Sequence, residues 1–129
     1  LAAFPGISQA QQLNAFGFTL KRNSQQVEGL YVANGYSPDQ LRSMIGAYCQ
    51  GGHVGEIANV GKPRTKRGQV LQKFRTTCAG GLSDRFDGKQ ATFEIEYMTK
   101  GEYQGHNVVE ITTSDGKGNI VYLREMITL

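Results

Sequence analysis

Apolar and polar positions alternate most cleanly in the last third of the chain. In "QATFEIEYM", Ala91, Phe93, Ile95 and Tyr97 alternate with Gln90, Thr92, Glu94 and Glu96. A period of two predicts a strand with one buried face. "HNVVEITT" continues with Val109 and Ile111 on one face and Glu110 on the other, and Asp115-Gly116 in "SDGKGN" is a strong hairpin signal. "IVYLREMITL" is apolar on both faces, which predicts a central or covered strand. The three segments read as an antiparallel meander. Upstream, "GQVLQKFRTTC" places Val70, Phe74 and Cys78 on one face and Lys73 and Arg75 on the other. "HVGEIANV" fits as its hairpin partner, joined by a basic loop, "GKPRTKRG", in which Pro63 favours a turn over continued pairing.

The helical period is clearest in "SPDQLRSMIGAYC". Ser37 is suited to the N-cap, Pro38 to the first helical position and Asp39 to the first turn. Leu41, Met44, Ile45 and Tyr48 form one apolar stripe, and Gly51-Gly52 ends the helix. "FGFTL" alternates and reads as a strand. Residues 24–34 fit a strand nearly as well as a helix. Val27, Leu30 and Tyr31, followed by Asn34-Gly35, tip the reading to a short capped helix. A second short helix fits Ile7 to Ala15. The expected architecture is α+β in one domain, residues 1–129. One or two N-terminal helices, together with the Ser37–Cys49 helix, pack on a four- or five-stranded antiparallel meander sheet.

Composition bounds this picture. With 39% hydrophobic and 19% charged residues in 129, the chain is of ordinary globular type, and no apolar run reaches the ~20 residues of a membrane helix. Seventeen glycines imply many turns and short strands. Leu1 rather than Met reads as a processed or trimmed start, and "LAAFPG" lacks the basic and apolar regions of a signal peptide. The net charge of +3 hides an asymmetry. Lys62, Arg64, Lys66, Arg67, Lys73 and Arg75 fall in one acid-free stretch, leaving the other eight cations against eleven acids.

Cys49, four residues before His53, raises three chemistries. A nucleophilic thiol needs a lowered pKa, and a helix C-terminus disfavours the thiolate. A zinc site using Cys49, His53, Cys78 and His106 lacks paired ligand spacing. The third reading is a Cys49–Cys78 disulfide, with buried free thiols as its alternative. Both cysteines end predicted elements and precede glycines that let the chain turn. A disulfide implies an oxidising compartment, periplasmic or extracellular.

The basic loop lacks the glycine spacing of a nucleotide-phosphate loop, and no dinucleotide or zinc-hydrolase motif occurs, so no cofactor or metal is expected. Glu94 and Glu96 read as cross-strand partners of Lys73 and Arg75 rather than as an acid–base pair. Tyr103, an aromatic in the polar loop "KGEYQGH", is a candidate contact. The expected function is that of a small exported, non-catalytic binding or accessory domain. It would meet an anionic protein or envelope component through Lys62, Arg64, Lys66 and Arg67, with Lys73, Arg75 and Tyr103 beside them. The alternatives are an enzyme using His53, His106 and Glu94, and a nucleic-acid binder using the same cations.

Overall fold

A computed structural model describes residues 12–127. Seven strands form one antiparallel sheet: β1 (Phe16–Lys21), β2 (Gln26–Val32), β3 (Ala58–Lys66), β4 (Gln69–Thr77), β5 (Gln90–Tyr97), β6 (Asn107–Ser114) and β7 (Ile120–Met126). Their spatial order is β3-β4-β2-β1-β5-β6-β7. The helix α1 (Pro38–Gly46) lies between β2 and β3 in the chain.

Alternation decides which face is buried. Phe16, Phe18 and Leu20 of β1 stand opposite Ile95, Phe93 and Ala91 of β5, and all six are buried. Val109 and Ile111 of β6, Val27 and Tyr31 of β2 and Phe74 of β4 extend the same face. The Phe18 and Phe93 rings stack at 4.9 Å, in the offset range where aromatic pairs attract. The cover on this face is thin. It consists of α1, which buries Leu41, Met44 and Ile45, and of loops carrying Tyr48 and Phe86, whose rings lie 4.6 and 5.6 Å from Phe93. Ser37 caps α1 as expected, and the capping box closes with Gln40.

Two links tie the cover to the sheet. Cys49 and Cys78 form a disulfide between buried residues whose Cα atoms are 5.9 Å apart. A bond closing a loop of 29 residues contributes about 3–4 kcal/mol in the chain-entropy view. Arg22 is the second link. Its guanidinium donates to the carbonyls of Gly88, Leu82, Ser83 and Phe86 and pairs with Asp84 at 3.2 Å. One cation therefore holds the returning loop from several directions, a use suited to the five-donor fork of arginine.

The α+β expectation is overturned. The sheet has seven strands, and one short helix covers part of one face. Residues 26–32 of the ambiguous segment are β2, not a helix. The helix expected from Ile7 falls largely outside the described residues, and residues 12–15 have no regular structure. α1 ends at Gly46, so Tyr48 and Cys49 lie in the turn beyond it. The meander holds only for β5-β6-β7, because β4 returns beside β2 and the chain then crosses to place β5 beside β1.

The misreading of β2 has a physical cause. Its inward positions are Val27, Gly29 and Tyr31, and the glycine interrupts the apolar alternation. The vacancy at Gly29 is filled from β4. A Cβ there would sit 2.2 Å from the Gly17 carbonyl oxygen and 2.6 Å from the Phe74 ring. Gly29→Ala is therefore expected to destabilise the fold by ~1–3 kcal/mol, as overpacking does in closed cores, which chemical denaturation would register. A midpoint equal to wild type would mean that Phe74 does not occupy this position.

Candidate functional site

Among the described residues, no helix or strand covers the side of the sheet away from α1, although Val108 is buried there, and the charge of this face is divided. Lys62, Arg64, Lys66 and Lys73 gather at the β3–β4 end, and Glu94, Glu96 and Glu110 at the β5–β6 end.

The cationic end is shaped by an irregular hairpin. Arg67 and Gly68 form its two-residue turn, at φ 52° and 79°, in the left-handed conformation that matches strand twist. Further along, Val60 pairs with Lys73 and Arg64 with Leu71, so Gly61, Lys62 and Pro63 of β3 span a single residue of β4, Gln72. Such a bulge bends the edge strand and leaves backbone carbonyls without ladder partners. The buried Gln72 side chain meets that need. Its amide nitrogen donates to Val60 and Gly61 at 3.3 and 3.2 Å and to the Lys73 carbonyl at 2.8 Å.

The bend opens a shallow groove of about 860 Å³. Leu30, Val60 and Leu71 form its apolar floor, and Lys62, Arg64, Lys66 and Lys73 rise around it. Leu30 is 47% exposed in the middle of the sheet. Among the described residues, none of these four cations lies within ion-pair distance of a carboxylate. Every arginine other than Arg64 and Arg67 has such a partner: Arg22 with Asp84, Arg42 with Asp39, Arg75 with Glu28, Arg85 with Glu125 and Arg124 with Glu110. Positive charge is left uncompensated where the apolar floor is exposed.

The acidic end works differently. Glu94 stands directly opposite Glu110, and Glu96 reaches the same carboxylate diagonally. A hydrogen bond to Glu110, with desolvation and like charge adding to it, raises the Glu96 pKa above its ordinary 4.5. Glu96 thus favours holding a proton against its neighbour.

The sequence-predicted residues separate accordingly. Lys62, Arg64, Lys66 and Lys73 converge on the groove, although the first three lie on β3 rather than on a loop. Arg67 caps the hairpin turn. Arg75 lies outside the groove and pairs with Glu28 at 3.0 Å. Tyr103 is half-buried in the β5–β6 loop, about four strand spacings or ~19 Å from the hairpin. Glu94 and Glu96 do not face Lys73 and Arg75. The neighbours of Lys73 are Leu30 and Val60, because β2 and β1 stand between β4 and β5. His53 and His106 are both exposed and lie at opposite ends of the sheet, ~20 Å apart along the strands, with Glu94 between them on the open face. The structure brings no two of these three together.

The groove floor and Gln72 escaped the sequence reading. Had β2 been read as a strand, alternation would have put Leu30 on the face of Lys73.

The raised pKa of Glu96 gives a pH test. Because the folded pKa of Glu96 is raised, its favourable contribution is complete below about pH 4.5 and is lost as pH rises through the folded value. Glu96→Gln keeps a donor toward Glu110 and removes that loss. Its thermal midpoint is expected to match wild type in acid and exceed it increasingly toward neutral pH. Parallel curves would contradict the pairing. Comparison with protein-family models, curated proteins and solved structures finds no match for this chain, so the case for function rests on the surface itself.

Proposed function

We propose that the protein is a small exported, non-catalytic binding or accessory domain whose cationic groove holds an anionic partner. The observation that carries this reading is the set of four cations, without an acidic partner among the described residues, around an apolar floor on which Leu30 is exposed. Lysine and arginine at a surface normally disperse or pair. Here they surround Leu30, Val60 and Leu71, so a ligand that carries carboxylate or phosphate beside apolar groups satisfies both features. Arg64 supplies a planar fork for bidentate contact. The acidic end repels the same ligand, which confines its footprint to the β3–β4 half of the face.

The disulfide supports an oxidising compartment, periplasmic or extracellular. Among the described residues, no helix is long and apolar enough to cross a membrane. An acidic protein segment or an anionic envelope component are the partners of this chemistry. Nucleic acid fits less well, because the groove residues include no aromatic side chain on which a base could stack.

The test is a titration of labelled protein, followed by amide and methyl NMR, with three probes. These are an acidic peptide of glutamate and leucine, vesicles of phosphatidylglycerol against phosphatidylcholine, and single-stranded DNA. The acidic peptide or the anionic vesicles should shift Leu30, Leu71 and the β3 amides, and the responding probe identifies the source of the anion. Replacing Lys62, Arg64, Lys66 and Lys73 by Ser should weaken that binding about tenfold or more, at ~0.5 kcal/mol for each exposed contact. Unchanged affinity in the variant would overturn the proposal. So would tightest binding to DNA with a log–log salt slope near −4.

A further inference from the structure

The two edges of the sheet differ in kind. β3 carries a proline, a bulge and a row of cations, the features by which proteins keep an edge from pairing. β7 carries none of them. Its register with β6 runs unbroken from Val108↔Met126 to Ser114↔Ile120. Five of its seven residues are exposed large apolar side chains, with Tyr122 at 74%. Its two charges guard nothing, because Arg124 pairs with Glu110 and Glu125 with Arg85 within the same molecule. The expectation that this strand is central is therefore overturned, and among the described residues nothing covers it. Among the described residues, no strand lies on its outer side.

The hydrogen-bond phase shows what the free edge offers. The Ile127 amide donates to the Asn107 carbonyl and the Asp115 amide to the Asn119 carbonyl, so the odd-numbered residues of this run bond to β6. The N–H and C=O groups of Ile120, Tyr122, Arg124 and Met126 consequently point outward. These four positions are symmetric about Leu123. We infer that two copies of the chain join along β7, antiparallel, about a two-fold axis at Leu123. Ile120 then faces Met126 of the second copy, Tyr122 faces Arg124, and Leu123 faces its own equivalent. Each outward residue meets an outward residue, giving about eight backbone hydrogen bonds. Tyr122 receives the Arg124 guanidinium on the open face, and Leu123 meets Leu123 on the other. No like charges stand directly opposite each other. The product is one continuous sheet with a cationic groove near each far edge. This pairing is independent of what the grooves bind.

One strand pair is a small interface, so the dimer is expected in the micromolar range. Sedimentation velocity of the intact protein should shift from monomer toward dimer between about 1 µM and about 1 mM. Tyr122→Pro removes an outward N–H and no bond to β6, and it should leave a monomer with a wild-type circular dichroism spectrum. Leu123→Cys provides a second measurement. At a non-hydrogen-bonded pair the Cα atoms sit ~4.5 Å apart, close enough to join. Mild oxidation should link two copies through Cys at 123, whereas Val121→Cys, placed four residues from its own equivalent, should stay largely unlinked. A monomer across the range, a dimer that survives Tyr122→Pro with the fold intact, or equal linking at both positions would overturn the inference.

Discussion

A sheet of seven strands has two broad faces, and among the described residues one nine-residue helix and the loops beside it cover part of one of them. That shortage of cover governs the rest of the structure. Only one face can become a core, so the strand phenylalanines are concentrated at inward positions and charges at outward ones. The thin cover must also be held in place. The Cys49–Cys78 bond fixes the segment after α1 to the end of β4, and Arg22 gathers the carbonyls of the loop that returns to β5. Both links act at the same end of the sheet, where the chain crosses from β4 to β5.

The uncovered face is organised by charge instead of packing. Threonine and glycine run through its middle, where Thr19 and Thr92 approach at 3.3 Å and Gly17 separates Leu30 from Glu94. Cations gather at one end and carboxylates at the other. The difference between the ends lies in compensation. The acids are partly compensated by Arg124, and the pKa of Glu96 is raised beside Glu110, whereas the groove cations have no acidic partner among the described residues. The proposed anion binding rests on this uncompensated cluster over exposed leucine. The bulge that shapes the groove also keeps the β3 edge from pairing.

Parts of this arrangement were legible in the sequence. The alternation of β1, β5 and β6, the Ser37 cap, the turn at Asp115 and the pairing of the two cysteines all express local rules in which each side chain reports its own environment. The failures share a cause, which is that the deciding partner lies on another strand. Gly29 looks like a break in a strand until Phe74 is seen to fill it. The apolar sequence of β7 signals burial, yet its position at the edge follows from the strand order, which no single segment encodes. The basic segment reads as a loop because Pro63 and Gly61 interrupt the pattern, but Gln72 on β4 accommodates the interruption and the strand continues. The position of Leu30 beneath the cations likewise appears only once β4 is placed beside β2.

The central claim is that one face of the sheet stands open in solution. It can be tested at single methyl groups with a soluble paramagnetic agent added to dilute protein. Leucines report both faces in one spectrum. Leu30 and Leu71 should relax strongly, because water and the agent reach them directly. Leu20, Leu41 and Leu82, each no more than 1% exposed beneath the cover, should relax weakly. If Leu30 and Leu71 relax as weakly as Leu20, the face is covered and the groove does not exist as described.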